Sequence, residues 1–204
     1  MKKHLFLTIA LALGTMFAYA QNYYVGGDIS MIPKYEAANV RYSDMDGKKI
    51  SNLIAYLHDD AGFNTARVRL FVNPTGETGV CQDLAYVKSL SKRIKDAGMK
   101  LMLDFHYSDT WADPTNQWTP AAWTSLTNEE LIQKIYDYTK DVLTELVAEG
   151  ATPDFIQTGN EISYGMLWGP NGTRNYYVHT NSDKNWDRFI SLLTQAGKAC
   201  REVC

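Results

Sequence analysis

The chain has 204 residues, of which 45% are hydrophobic and 21% charged, and its formal net charge is -3 at pH 7. This length is enough to bury a core, and the composition excludes bulk disorder. The slight acidity argues against general electrostatic binding of nucleic acid, because proteins that bind in that way are basic. Aromatic residues make up 12% of the chain, which fits either a large aromatic core or a cleft that stacks on sugar rings.

The first 20 residues have the pattern of a secretory signal peptide. Lys2 and Lys3 precede an apolar run over 5–13, and the sequence Ala-Tyr-Ala at 18–20 is a small-x-small cleavage pattern. The run is too short to span a bilayer, and no later segment is apolar for long enough to do so. We therefore expect cleavage after Ala20, export to the periplasm or the extracellular space, and no stable membrane insertion.

Predicted strands and helices alternate along the rest of the chain. Short apolar runs predict strands at 23–29, 65–72, 99–107 and 154–159. Apolar residues at helical spacing predict helices that include 50–57, 84–94, 131–146 and 186–193. Thr127 and Glu130 form a capping box before the third of these helices. The alternation predicts a parallel sheet with helices outside it.

Two architectures have this alternation, a doubly wound nucleotide-binding sheet and a (β/α)8 barrel. The doubly wound sheet normally has a glycine-rich phosphate turn after its first strand, and Val25-Gly26-Gly27-Asp28 does not have that pattern. Polar and aromatic residues gather instead at the C-terminal ends of the predicted strands, where barrel enzymes have their active sites. We therefore predict an α/β fold of the (β/α)8 TIM-barrel family. Four β/α units make half of such a barrel.

The strand ends carry acids, a guanidinium, an imidazole and an amide, with no Ser or Cys beside a base. The candidates are Asp28, Arg69, Asp104, His106, Asn160 and Glu161. Retaining glycosidases use one carboxyl as acid/base and a second carboxylate about 5 Å away as nucleophile. Glu161 fits the acid/base role, which a buried or apolar setting would favour, and Asn160 would hold a sugar 2-hydroxyl. The alternative is that Asn160 and Glu161 merely cap the next helix.

The other strand-end candidates each have two roles open. His106 would contact a sugar hydroxyl or orient a carboxylate. Arg69 would hold a catalytic carboxylate in its ionised form, or it would form a structural ion pair. Asp28 and Asp104 would act directly or support other residues of the site.

The loop over 108–125 is rich in aromatic and polar residues, as functional loops often are. Trp111 is the candidate for stacking on a sugar ring, whereas Trp118 and Trp123 are expected to fix the loop to the body. The segment Asp113-Pro114-Thr115-Asn116 is the second contact candidate. A further loop over 163–181 would extend the cleft.

Four segments resemble the endo-β-1,4-galactanases of glycoside hydrolase family 53. The most specific is Leu-Asp-Phe-His-Tyr-Ser-Asp-Thr-Trp-Ala-Asp-Pro at 103–114, which resembles the third-strand signature of that family. Thr-Gly-Asn-Glu-Ile at 158–162 is similar to its fourth-strand acid motif, and 25–30 and 66–70 resemble its first two strands. The resemblance extends from about residue 23 to residue 204.

The resemblance implies retaining cleavage of internal β-1,4-galactosidic bonds in galactan and type I arabinogalactan. It implies that Glu161 is the acid/base, that Asn160 is its neighbour in the motif, and that residues 113–116 contact substrate. The family's nucleophilic Glu is on the seventh strand, so we expect residues 21–204 to be the N-terminal half of the catalytic domain and to be inactive alone. Some members bind calcium in the second half, and no cofactor is expected in this chain.

Two other functions remain open at this stage. A mannanase or cellulase of the same clan would share the Asn-Glu pair, and a secreted glycan-binding protein would share the aromatic cleft. The cysteines Cys81, Cys200 and Cys204 have no spacing typical of a zinc site, and we expect all three to be packing residues.

Overall fold

Strands and helices alternate in the structure, as the hydrophobic pattern predicts. The computed structural model describes residues 23–178 and 183–204, so the predicted signal peptide lies outside the described residues. In chain order the elements are β1 (Gly26–Asp28), α1 (Ile32–Ala37), β2 (Tyr42–Ser43), β3 (Lys49–Ile50), α2 (Leu53–Asp59), β4 (Thr65–Leu70), α3 (Leu84–Asp96), β5 (Lys100–Phe105), a 3-10 turn (Ala121–Trp123), α4 (Asn128–Ala148), β6 (Phe155–Thr158) and α5 (Asp183–Val203).

Four of these strands form one sheet, in the order β1-β4-β5-β6, and each neighbouring pair is parallel. The spatial order follows the chain order, as it does for consecutive strands of a (β/α)8 barrel. A doubly wound sheet would reverse its order at a switch point. The separate antiparallel hairpin of β2 and β3 was not predicted, because strands of two residues are too short to show alternation.

The parallel strands lie where the sequence predicts them but end earlier. Tyr107 has a φ of +48°, which ends the β5 ladder before the predicted residue 107. Gly159 and Glu161 have φ values of +114° and +49°, so the chain turns directly after β6. After β4, the Phe71 N–H leaves the sheet and donates to the Gln82 carbonyl at 3.0 Å. Each early ending coincides with the start of a loop at the candidate site.

Side-chain caps mark the starts of three helices. Asn52, Asp83 and Thr127 accept hydrogen bonds from the first turns of α2, α3 and α4. Thr127 and Glu130 form the predicted capping box. The apolar stripe predicted from Ile50 begins too early, because Ile50 belongs to β3 and the helix starts after Asn52. Among the described residues, no helix is both long enough and apolar enough to cross a membrane.

The two faces of the sheet differ in polarity because side chains alternate along each strand. One face packs against the helices and forms the core, with Ala66, Val68, Leu70, Leu101, Leu103 and Phe105 among its buried residues. The alternate positions carry Arg67 and Arg69 on β4 and Asp104 on β5. The register pairs Arg69 with Asp104, so these polar side chains form a row across the second face.

The three cysteines are unpaired in the structure. Cys81 and Cys200 are half-buried, and burial raises the pKa of the Cys200 thiol to about 11. Cys204 is exposed, so the expectation that all three are packing residues is wrong for Cys204, which follows the last residue of α5.

Candidate active site

Arg67 lies at the centre of a hydrogen-bonded cluster that joins all four strands of the sheet. Its Nη1 donates to Asp28 Oδ2 at 2.7 Å, and its Nη2 donates to Asp104 Oδ2 at 2.5 Å and to Asn160 Oδ1 at 2.8 Å. Asp28 is on β1, Asp104 is on β5, and Asn160 follows β6. One guanidinium therefore balances two carboxylates and holds an amide, which suits the planar, multiple-donor geometry of arginine.

Arg69 lies beside the same cluster in a more buried position. Its Nε is 3.1 Å from Asp28 Oδ2 and also donates to Ser30 Oγ at 3.2 Å. The Arg69 side chain is only 9% exposed. Of the two roles that the sequence left open, the structure supports an ion pair within this chain, with Asp28 as the partner.

His106 lies beside Asp104 in the cluster, and its side chain has no exposed surface. Its Nδ1 accepts from the Ala112 N–H at 3.1 Å, so the neutral ring carries its hydrogen on Nε2. Nε2 is 3.1 Å from Asp104 Oδ2, but the two are not aligned as a hydrogen bond, and Nε2 has no other partner among the described residues. The predicted contact with a sugar hydroxyl does not fit this burial. The second predicted role, orienting a carboxylate, fits the position beside Asp104.

Asn160 and Glu161 form the turn at the end of β6. Asn160 Nδ2 donates to the Ala112 carbonyl at 2.6 Å, and Oδ1 accepts from Arg67 and from Gln157 Nε2 at 3.3 Å. Nδ2 carries two hydrogens, so one of them makes no hydrogen bond with a described residue.

The Glu161 side chain is exposed, and its carboxylate makes no hydrogen bond or ion pair with any described residue. The buried or apolar setting expected for an acid is therefore absent here, because no described strand pairs with the outer edge of β6. The helix-cap alternative is wrong, since the next helix, α5, begins only at Asp183.

The turn at 113–116 is closed by its own hydrogen bonds. The Asp113 carboxylate accepts from the N–H and hydroxyl of Thr115, at 2.6 Å each, and from the N–H and side-chain amide of Asn116, at 3.0 and 3.1 Å. Partial burial alone would raise the pKa of Asp113, but these hydrogen bonds outweigh burial and lower it. Asp113 thus shapes the turn and has little capacity left for substrate, while Pro114 and Thr115 are exposed.

Trp111 is fixed in place at the edge of the cluster, with 37% of the residue exposed. The Arg69 guanidinium lies 4.7 Å from the centre of the indole ring, and the ring meets Phe71 and His106 edge-on. Its Nε1 donates to the Thr78 carbonyl at 3.2 Å. These contacts make Trp111 a rigid aromatic surface, as the stacking role requires.

The structure brings most of the predicted residues together and adds two that the sequence analysis did not select. Asp28, Arg69, Asp104, His106 and Asn160 share the cluster around Arg67. Arg67 is two residues before Arg69 on the same strand, so the alternation of strand side chains was a signal for it. Gln117 is buried, and its Nε2 donates to the Asn160 carbonyl at 2.7 Å. Nothing in the sequence distinguishes Gln117 from an ordinary loop glutamine.

A metal site is not evident at this cluster. Over residues 23–178 and 183–204, no group of three or more His, Cys, Asp or Glu residues is placed to hold a metal ion. The acids Asp28 and Asp104 are instead balanced by arginine.

A parallel sheet of four strands in chain order, with polar side chains gathered at its C-terminal edge, is typical of half of a (β/α)8 barrel. Comparison with known proteins identifies the family. Residues 24–204 match the sequence profile described as Glycosyl hydrolase family 53. The chain belongs to this family.

Two relatives are similar in sequence to most of this chain. The arabinogalactan endo-beta-1,4-galactanase of Cellvibrio japonicus is 37% identical over 207 residues, which cover 99% of this chain and 52% of that protein. The enzyme of the same name from Humicola insolens is 40% identical over 154 residues, 76% of this chain and 45% of that protein. The chain spans about half the length of the curated relatives it matches.

Solved structures show the same fold. The GH53 catalytic domain of Ignisphaera aggregans superposes with a TM-score of 0.78 at 32% identity, over 92% of this chain and 50% of that one. An exo-beta-1,4-mannosidase from an Opitutaceae bacterium has a TM-score of 0.54 at 15% identity, over 91% of this chain and 31% of that one, which shows the fold alone.

Proposed function

We propose that this chain supplies the acid/base half of a retaining endo-β-1,4-galactanase. The observation that carries the proposal is the Asn160–Glu161 turn, which presents an exposed carboxylate at the C-terminal edge of the sheet, the edge at which Trp111 also lies. Glu161 would protonate the leaving glycosidic oxygen and then deprotonate the water that hydrolyses the glycosyl-enzyme intermediate.

Neighbouring residues have supporting roles in this proposal. The remaining Nδ2 hydrogen of Asn160 would donate to the sugar 2-hydroxyl, a contact that strengthens in the transition state. Trp111 would stack on a sugar ring, and the turn of Pro114, Thr115 and Asn116 would contact the substrate further along. The nucleophile would come from a strand beyond the four described here, and it would close the side on which Glu161 is exposed.

The proposed substrate is β-1,4-galactan, including the backbone of type I arabinogalactan. The names of the relatives from Cellvibrio japonicus and Humicola insolens support this choice over a mannan or cellulose substrate. The N-terminal pattern at 1–20 supports export to the periplasm or the extracellular space, where pectic polysaccharides would be met. Any calcium site, as in some family members, would lie outside this chain.

Reducing-sugar release from β-1,4-galactan tests the proposal. The assay compares the 204-residue chain with the chain extended along its coding sequence to the first stop codon, each with a Glu161→Gln variant. We expect only the extended form to cleave galactan, and we expect Glu161→Gln to lower its kcat by about 100-fold or more, since a general acid contributes 10²–10⁴-fold.

The other outcomes each contradict a specific part of the proposal. Binding of galactan without cleavage by the extended form would indicate a glycan-binding protein. Faster cleavage of mannan or cellulose than of galactan would indicate another substrate. Cleavage by the 204-residue chain that depends on Glu161 would place the nucleophile within this chain.

A further inference from the structure

The backbone of Glu161 is in a conformation that L-residues seldom adopt. Its φ of +49° lies in the left-handed region, where a non-glycine side chain meets steric strain. Such strain persists only where the surrounding structure holds the residue in place. The direction of the Glu161 side chain therefore depends on whatever restrains this turn.

Gln117 supplies that restraint from the loop after β5. Its Nε2 donates to the Asn160 carbonyl at 2.7 Å, and it lies 3.4 Å from the Glu161 carbonyl and 3.3 Å from the Asp113 carbonyl. The Gln117 amide thus contacts the carbonyl oxygens of the two peptide groups that flank the Glu161 Cα atom. It also meets the carbonyl of the 113–116 turn.

Gln117 is itself held firmly. The residue is 2% exposed, and its own carbonyl accepts from the Trp168 N–H at 2.6 Å. Thr119, two residues on, exchanges hydrogen bonds with Gly169. The loop after β5 is therefore joined to the loop after β6 at Gln117 itself and again two residues further on, and these contacts fix the backbone that carries the Gln117 amide.

We infer that Gln117 is a positioning residue that holds Glu161 in its left-handed conformation and thereby aims the carboxylate. This inference rests on the proposed acid/base role of Glu161. Gln117 does not touch the reacting atoms, and its effect would pass through the backbone of residues 160 and 161. An error of about 1 Å in the position of a catalytic group can cost about 100-fold in rate.

Two substitutions remove the amide contact in different ways. Gln117→Met keeps the length of the side chain but has no hydrogen-bond donor, and Gln117→Asn keeps the donor but is one methylene too short. Gln133→Met is the matched control, since Gln133 is on the surface of α4 and its Nε2 donates only to Asp137. Thermal unfolding shows whether each variant is folded.

The first readout is the backbone conformation of Glu161 in the 204-residue chain, measured by crystallography or by the ¹³Cα chemical shift. We expect Glu161 to leave the left-handed region in both Gln117 variants and to keep it in Gln133→Met. A folded Gln117→Met variant in which φ of Glu161 stays near +49° would overturn the inference. This readout needs no enzymatic activity, so it decides the matter even if the proposed function is wrong.

The second readout uses the extended chain and substrates that differ in leaving group. A dinitrophenyl β-galactobioside releases a leaving group that needs no protonation, whereas galactan needs the acid. We expect both Gln117 variants to lower kcat/KM on galactan by about 100-fold while kcat/KM on the aryl substrate changes less than about 3-fold. The value of kcat on the aryl substrate should fall, because hydrolysis of the glycosyl-enzyme still needs Glu161 as a general base. Azide should restore this kcat, because it attacks the glycosyl-enzyme without a general base.

An equal loss on both substrates would mean that Gln117 has a merely structural role, and it would overturn the inference. No cleavage of galactan by the unsubstituted extended chain would instead refute the proposed function, and the conformational readout would then stand alone.

Discussion

Asp104 has no exposed side-chain surface, and its charge is balanced by Arg67 at 2.5 Å. The cluster around these two residues is the part of the site most sensitive to a single substitution, because a buried charge without its partner is costly. The same guanidinium donates to the Asn160 side chain, so Arg67 provides both the electrostatic balance of the cluster and one of the contacts that hold Asn160.

Arg67→Met should lower the free energy of unfolding by about 3–5 kcal/mol, the usual cost of leaving a buried charge unpaired. Adding Asp104→Asn to this variant should recover part of the loss, since the uncompensated charge is then absent. Arg41→Met, at an exposed position, should change stability by less than about 0.5 kcal/mol. Urea denaturation of the four proteins measures these differences, and a similar loss in Arg67→Met and Arg41→Met would contradict the argument.

At the level of the elements, α5 is connected to the loop that follows the Asn-Glu turn. Arg188 on α5 donates to the Met166 and Leu167 carbonyls at 3.2 and 2.9 Å, and its guanidinium lies 3.9 Å from the centre of the Tyr176 ring. Burial lowers the pKa of Arg188 to about 10. The helix thus shapes a loop that flanks the site, although α5 lies outside it.

The capping box of α4 gives a prediction for one helix. Thr127 Oγ1 accepts from the Glu130 N–H at 3.3 Å, and the Glu130 carboxylate accepts from the Thr127 N–H at 2.8 Å. Thr127→Ala should therefore lower the free energy of unfolding by about 1 kcal/mol. Thr144→Ala, at an exposed position inside the same helix, should have no such cost, because alanine favours helix. Thermal and urea unfolding of the pair test this, and equal effects would rule out the cap as the cause.

For the whole molecule, Asp154 joins three parts of the fold at the end of the sheet opposite the candidate site. Its carboxylate accepts from Lys100 on β5 and Lys95 on α3 at 2.7 Å each, and from the Leu101 N–H at 2.9 Å. Partial burial alone would raise the pKa of Asp154, but these hydrogen bonds outweigh burial and lower the pKa from 3.8 to about 2.

This shift predicts how stability depends on pH. Because the folded pKa is lower than the unfolded one, Asp154 stabilises the fold above pH 4 and loses this effect as the pH falls towards 2. The shift corresponds to about 2 kcal/mol.

Asp154→Asn should lower the free energy of unfolding by about that amount at pH 7, and the difference from the unsubstituted chain should shrink below pH 4. Asp141→Asn, at an exposed position on α4, is the control and should show little change at either pH. A difference for Asp154→Asn that stays constant from pH 7 to pH 2 would contradict this linkage.

The sequence by itself determined the long strands and helices and their order, because these depend on local patterns. Short apolar runs located β4, β5 and β6, helical spacing located α3, α4 and α5, and the Thr127–Glu130 pair marked the start of α4. Strand ends were less exact, because the chain turns with positive φ at Tyr107, directly after β5, and at Gly159, directly after β6. The two-residue strands of the β2–β3 hairpin left no pattern to read.

Only the tertiary structure decided the roles within the site. Asp28, Asp104, His106, Asn160 and Glu161 were all selected by their place at strand ends. Which of them are buried, paired or open depends on residues distant in sequence. Arg67 is 93 residues from Asn160, and Gln117 is 43 residues from it. Hydrogen bonds and burial of this kind are set by the packing of the sheet and its loops, so no local pattern encodes them. For that physical reason, the buried positions of His106 and Arg69 and the exposed Glu161 appear only in the folded chain.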